Sequence, residues 1–226
     1  MPGNEEPTQS SNFLRWLTEP EASDLEHLSQ RRTFLRGDVI FWERDPSQDV
    51  MVVRSGRVKV CSRRSGREVI MAVLDPGALL GEVAAADGQP HSATVVALED
   101  VAVDVLSVGS FEEFLTANPR VSATLLRLAA GRLRNASERQ VEFGSSDTVT
   151  RVCTLLDRLG SRYGTEVEGS LEISAPLSQQ ELADWSGMSR EAFVKALSRL
   201  RKLGWIAVGN HKIVLLDPAS VARRAS

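Results

Sequence analysis

"LSQQELADWSGMSREAFVKALSRLRKLGWI", residues 177–206, divides into two amphipathic stretches joined at a glycine. Ser178 precedes the first, and Glu181 follows three residues later. At that spacing a serine hydroxyl and a glutamate carboxylate each accept from the other's backbone N–H, which predicts a helix start. Leu182 and Ala183 give this helix its apolar side. Gly187 follows it, where a helix end favours a left-handed residue. Ser189 is placed to cap a second helix, whose Ala192, Phe193, Ala196, Leu197 and Leu200 fall on one buried stripe. Its opposite face carries Arg190, Glu191, Lys195, Arg199 and Lys202. A helix, a glycine turn and a second helix with charge at its exposed start follow the helix-turn-helix plan. In that plan the first residues of the second helix reach base edges in the DNA major groove.

The flanking sequence extends this reading. "GWIAVGNHKIVLL" (204–216) is two short β-runs around Gly209-Asn210, a hairpin signal. It predicts a wing beside the two helices, with His211 and Lys212 placed to touch phosphate. Upstream, "FGSSDTV" (143–149) is a break that reads as a hinge. Asp147 or one of its serines is expected to cap "TVTRVCTLLDRLGSRYG", a helix ending at Gly160 or Gly164. A weaker strand, "SLEISA", follows. The net charge of −3 conceals an asymmetry: residues 1–144 carry −5 and residues 145–226 carry +2. Residues 188–212 hold six basic side chains against Glu191 alone, an anion-seeking tip on an acidic carrier.

From about 32 to 108 the pattern is β. "DVIFWE", "DVMVVRSGRVKVCSRR", "EVIMAVLDPG" and "SATVVALEDVAVDVLS" are short Val-rich runs separated by turn residues, predicting an antiparallel roll or barrel. After that the period changes. "SFEEFLTANP" reads as a short helix capped by Ser110, with Glu113 three residues on. A long helix is expected from near Pro119 to about Phe143. Along it Leu126, Ala129, Leu133, Ala136, Gln140 and Phe143 recur at alternating spacings of three and four. Such a seam, with small alanines permitting close approach, predicts pairing with the same helix of a second copy. The fold class expected is α+β.

Within the β-region, "GEVAAADGQPHSATV" (81–95) reads like a phosphate cradle with one part changed. Gly81 and Glu82 open a short Ala-rich turn, a Gly-Gln-Pro loop follows, and His91 stands where a permanent cation would be the safer choice. Elsewhere the sequence excludes more than it offers. No apolar run approaches the roughly 20 residues that span a bilayer. The polar, acidic N-terminus has no secretory pattern, so a cytoplasmic protein with no membrane partner is expected. Cys61 and Cys153 fit no zinc, iron–sulfur or redox spacing and read as buried small hydrophobes. His27, His91 and His211 are too scattered to suggest haem, and no metal site is expected. The last 80 or so residues hold no catalytic triad, phosphate loop or metal cluster, so an enzyme is not expected.

These elements together resemble the Crp/Fnr family of transcription regulators over roughly residues 13–217. The family joins a cyclic-nucleotide-binding β-roll, a long dimerisation helix and a winged helix-turn-helix. "MSREAFVKALSRLRKLGWI" carries the most specific likeness, to the family's recognition helix. The domains implied are a sensor roll at 13–118, a dimerisation helix at 119–143, a hinge at 144–148 and a DNA-binding domain at 149–220. The resemblance makes Arg190, Glu191 and Lys195 base-reading residues, with Ser178 and Gln180 on the DNA backbone. Ser189 and Arg199 belong to the same face. The chemistry agrees: arginine pairs bidentately with guanine O6 and N7, and glutamate accepts from cytosine N4. Where the catabolite-activator branch usually has a second arginine, this chain has Lys195, a point charge that cannot fork. The operator implied is a palindrome with TGTGA-like half-sites one helical turn apart. The partners implied are double-stranded operator DNA, a second copy of the chain and RNA polymerase.

The same resemblance makes the 81–95 stretch the family's phosphate cassette. Gly81, Glu82, Ser92 and Ala93 match it, the loop is one residue shorter, and His91 replaces an arginine. Arg132 on the long helix matches. Of two adjacent hydroxyl residues expected to meet the base, Ala136-Ser137 supplies only Ser137. Arg44, in "ERDPS", stands where the family usually has glycine. The effector implied is a cyclic nucleotide, and three possibilities stay open: cyclic AMP, another nucleotide, or no ligand at all. A ligand-binding module using its winged domain as a protein-interaction platform is the alternative function.

Overall fold

The computed structural model describes residues 12–64, 66–145, 147–209 and 212–225, the side chains of 141–145 excepted. The described chain forms two compact units, one within Met1–Ser62 and Met71–Ala136, the other within Arg63–Ile70 and Ser137–Ser226.

The first unit is built on two four-stranded antiparallel sheets. One has the order β1 (Gln30–Phe34), β8 (Val101–Ser107), β3 (Asp49–Ser55), β6 (Leu79–Leu80). The other runs β2 (Val39–Phe41), β7 (Thr94–Ala97), β4 (Val58–Arg64), β5 (Arg67–Leu74). Successive strand side chains point to opposite faces, and β3 uses both. Met51 and Val53 join Val58, Leu80, Val95, Val103 and Val105 in one apolar cluster. Val50 and Val52 instead join Phe13, Leu25, Phe111, Phe114, Val121 and Leu128, which come mostly from helices. These helices are α1 (Glu19–His27), α3 (Val108–Ala117) and α4 (Pro119–Ser145). A short α2 (Glu82–Asp87) lies between β6 and β7. Double-sided burial explains why the Val-rich runs read as continuous rather than alternating.

Local chemistry fixes the helix starts. The cap of α3 is Ser107, not Ser110: the Ser107 hydroxyl accepts from Ser110 N–H at 3.0 Å. Ser107 ends β8 in an extended conformation, so its side chain can turn back over the first helical turn. Glu21 completes a capping box with Thr18 on α1 and takes the Arg120 guanidinium of α4. Those hydrogen bonds, Arg120's first, hold the Glu21 carboxyl down to about 2.

The second unit contains α5 (Thr148–Tyr163), α6 (Gln179–Trp185), α7 (Arg190–Lys202) and α8 (Pro218–Ala225). A sheet of order β11 (Ile206–Val208), β12 (Ile213–Leu215), β10 (Ser170–Ile173), β9 (Gly164–Val167) completes it. Asp147 caps α5, accepting from Val149 N–H at 2.8 Å and Thr150 N–H at 3.2 Å. The helix passes through Gly160 and ends at Gly164. A Cβ on Gly160 would stand 2.8 Å from Leu171 Cδ2, so glycine there serves the close approach of α5 to β10 rather than a helix end. β9 and α8 were not anticipated from the sequence. The Arg224 guanidinium of α8 pairs with Asp147, and Thr154 Oγ1 donates to Ala225 O at 3.4 Å, tying α8 to α5.

Candidate functional site

The second unit presents a charged helix face beside a cleft. Ser178 N–H donates to Glu181 Oε2 at 2.9 Å, while Glu181 N–H donates to Ser178 Oγ at 3.2 Å. At the other end of α6, Met188 N–H reaches Ala183 O at 3.1 Å and Gly187 N–H reaches Asp184 O at 3.3 Å. This pair of bonds closes the helix around Gly187 at φ 65°, a left-handed conformation that strains side-chain-bearing residues. Ser189 Oγ accepts from Ala192 N–H at 3.2 Å and caps α7, which starts at the next residue. Phe193, Ala196, Leu197 and Leu200 are buried, which fixes the rotation of α7. Arg190, Glu191, Lys195 and Arg199 are therefore all exposed. Glu191's own backbone N–H and then the Ser189 hydroxyl lower its pKa, so it stands as an ionised acceptor at the helix start.

Ser178, Gln180, Arg190 and Lys212 line one cavity of about 410 Å³, with Leu177, Leu182, Val208 and Ile213 contributing apolar wall. Gln180 Nε2 donates to Asp184 Oδ1 at 2.9 Å, and Lys212 Nζ donates to Glu172 Oε2 at 3.0 Å. β11 and β12 pair antiparallel, Ile206 against Leu215 and Val208 against Ile213, and Gly209 N–H donates to Lys212 O at 2.9 Å. The rest of the wing turn, with Asn210 and His211, lies outside the described residues.

The pocket of the first unit is small. Gly81 at φ 80° turns the chain from β6 into α2, and a Cβ there would meet Asp49 O at 2.8 Å. Phe41, Gly81, Glu82, His91, Ser92, Ala93 and Arg132 surround a cavity of about 80 Å³. The His91 ring lies flat on Phe41, centroids 3.8 Å apart at 15°, and is only 6% exposed. Backbone bonds brace it: His91 N–H donates to Asp45 O at 2.9 Å, and Arg44 N–H donates to His91 O at 2.8 Å. Arg44 adopts φ 74°, so the position said to favour glycine keeps a glycine-like backbone despite its side chain. Burial lowers the His91 pKa, with the Asp45 charge acting against it, so the ring is neutral at pH 7.

Arg132 forms an ion pair with Glu82 and donates from Nη2 to Leu79 O at 2.8 Å. Its Nε is buried with no hydrogen-bond partner among the described residues. Burial raises the Glu82 pKa, with Arg132 opposing the rise. Ser92 is exposed and Ala93 buried. Ser137 is exposed on α4. The residues keep the carboxylate and one arginine of a nucleotide pocket, with an orphaned donor. As arranged the cavity is several-fold below the 300–1,000 Å³ usual for small-molecule sites, and an aromatic stack stands where the resemblance implies a phosphate cation. Phe41's part in this was missed; "DVIFWE" reads only as a strand, and no spacing rule links it to residue 91.

On α4, Leu126 is 72% and Leu133 69% exposed, and Ala129, Ala136 and Gln140 are also exposed. The Phe143 side chain lies outside the described residues. Among the described residues no helix is long and apolar enough to cross a membrane, and no histidine, cysteine and carboxylate cluster suits a metal. Cys61 and Cys153 are both buried, and burial pushes the Cys153 thiol up to about 11.

Comparison with known proteins gives matches over both units. Residues 31–118 match the cyclic nucleotide-binding domain family, and residues 150–224 match the Crp-like helix-turn-helix domain family. A CRP-like cAMP-activated global transcriptional regulator of Mycobacterium tuberculosis is 30% identical over 193 residues, covering 85% of this chain and 86% of that protein. A cyclic AMP receptor protein of Thermus thermophilus is 30% identical over 202 residues, covering 88% and 90%. The structure of FixK2 from Bradyrhizobium japonicum matches with a TM-score of 0.76 at 26% identity, covering 88% of this chain and 98% of that one.

Proposed function

Because the chain belongs to the Crp/Fnr family of transcription regulators, which are DNA-binding proteins and not enzymes, we propose that it acts in the cytoplasm as a homodimer on a palindromic operator. The observation that carries this reading is α7: its buried stripe holds one face down while Arg190, Glu191, Lys195 and Arg199 stand exposed beyond a glycine-closed turn. Arg190 and Glu191, a fork donor and an ionised acceptor on the first turn, suit guanine and cytosine edges. Ser178, Gln180 and Lys212 share a cleft with Arg190 and suit backbone phosphate. The exposed α4 stripe of Leu126, Ala129, Leu133 and Ala136 suits a matching helix from a second copy. A two-fold dimer implies two symmetric half-sites one helical turn apart, and their TGTGA type is what the family resemblance implies.

Two readings of the roll are supported by different observations. The Glu82–Arg132 pair and the orphaned Arg132 Nε favour a nucleotide-type effector that enters by displacing His91. The braced Phe41–His91 stack and the 80 Å³ cavity favour a regulator whose pocket stays closed. Selection of operators from randomised duplexes by the purified protein, followed by titration at several salt concentrations, tests the main reading. A two-fold symmetric site and a steep negative slope of log affinity against log salt are expected. An asymmetric site, or a shallow slope without sequence preference, would favour a protein-interaction role.

A further inference from the structure

We propose that Val194 is a specificity-determining residue that reads the 5-methyl group of a thymine. The proposal rests on the reading of α7 as the groove helix. Every other exposed side chain on α7 is charged: Arg190, Glu191, Lys195, Arg199, Arg201 and Lys202. Val194 alone is apolar there, and it is 41% exposed. It follows Arg190 by four residues and Glu191 by three, so it stands one turn beyond both, on the side of the helix that they occupy.

Val194 lies outside the buried stripe of α7. The core stripe of α7 is already complete with Phe193, Ala196, Leu197 and Leu200, all at 4% exposure or less. A β-branched residue loses rotamer freedom in a helix, so alanine or lysine would serve a solvated site better. An exposed apolar residue among charges, of a type that a solvated helix disfavours, points to a function outside the chain. In the major groove the apolar group available is the thymine methyl, which cytosine lacks. A valine side chain is compact and stiff, and it offers two methyl groups to that contact without bringing a donor or acceptor of its own. The base pair it reads lies beside those met by Arg190 and Glu191.

The test uses the full-length protein and the operator that it selects from randomised duplexes. Each selected thymine is replaced in turn by deoxyuridine, which removes the methyl and nothing else. Wild type is expected to lose about fourfold in affinity per half-site at one symmetry-related thymine, the worth of one buried methyl-sized group. Val194→Ala should bind the parent operator more weakly by a similar factor and be indifferent to deoxyuridine at that position. Val194→Thr, which keeps the branched shape and one methyl, should retain part of the effect. Indifference of wild type to deoxyuridine at every selected thymine, or an undiminished deoxyuridine effect in Val194→Ala, overturns the proposal while leaving the DNA-binding reading intact. Failure to enrich any operator overturns that reading, and the proposal with it.

Discussion

The His91 ring is neutral, buried and stacked, and this makes the affinity of the roll for an anionic nucleotide depend on pH. In the free protein burial holds the His91 pKa below 6.5. A cyclic phosphodiester brought beside the ring favours the imidazolium and raises that pKa, so binding takes up a proton. Affinity must therefore rise as pH falls. The window runs from the bound-state pKa down to the free-state value below 6.5, with a limit of about tenfold per pH unit for one proton. Breaking the 3.8 Å stack on Phe41 costs about 0.5–1.5 kcal/mol, which weakens binding about 2- to 12-fold at any pH. His91→Arg removes both features. A permanent guanidinium gives a charge-assisted hydrogen bond worth about 1.5–3 kcal/mol, so cyclic AMP should bind about 10- to 150-fold more tightly at pH 7.5 and with little pH dependence. Calorimetric titration of both proteins between pH 5.5 and 8, in buffers of different ionisation enthalpy, measures affinity and proton uptake together. Wild-type binding without proton uptake would refute the reasoning, as would a folded His91→Arg protein that binds no better. In the absence of ligand the sign is opposite: with a folded pKa below the unfolded one, stability is complete above about pH 6.5 and falls on acidification below it.

Three other outcomes are expected. Arg190→Ala should cost about 1–3 kcal/mol of operator affinity and relax selection at one base position per half-site, as read by repeated selection and titration. Leu133→Ala should weaken dimerisation by about 3–6 kcal/mol, since a two-fold interface loses a 69%-exposed leucine from each copy, and sedimentation equilibrium reads the change directly. The hydrogen-bonded Glu21, held at about 2 from an ordinary 4.5, contributes stability that is present above pH 4.5 and lost as pH falls towards 2. Thermal melts of Glu21→Gln should show lower stability at pH 7 and a flatter acid limb than wild type.

What could be read from residues alone depended on whether the chemistry was local. Capping at Ser178, Ser189 and Asp147, the turn at Gly187 and the buried stripe of α7 involve neighbours within about five positions, and each is visible as spacing. The α3 cap shows the limit of that method. Ser107 and Ser110 both stand near a helix start, and which one caps depends on where β8 releases the backbone. Gly160 carries no local sign that it is there for Leu171, eleven residues away on another element. The Phe41–His91 stack spans 50 residues, and the Glu82–Arg132 pair spans the same distance. Glu82 and Arg132 were each placed in the pocket by a resemblance, though not as a pair; Phe41 had no resemblance to place it. Val194 was hidden for a different reason. It belongs to neither the apolar stripe nor the charged face that spacing picks out, and its exposure beside a fully buried stripe is what singles it out.

The small pocket and the α7 face bear on regulation through one relation. An effector shifts an equilibrium only by the difference between its affinities for the two states. For cyclic AMP that difference is reduced twice here: the ligand must open the stack, and it finds a neutral imidazole in place of a fixed charge. A shift from one part in a hundred to ninety-nine needs a roughly 10⁴-fold difference in affinity. The loss of a charge-assisted bond worth about 1.5–3 kcal/mol removes about a quarter to a half of the roughly 5.5 kcal/mol that such a shift requires. Control by cyclic AMP at neutral pH would then demand either a DNA-binding equilibrium already near balance or a ligand with further anionic groups. Arg44 is exposed on the loop that braces His91, and a ligand with a second anionic group would have it within the same loop as a counter-charge. Operator affinity measured without ligand separates these cases: tight binding by the unliganded protein means that the equilibrium is already poised, and the pocket need contribute little.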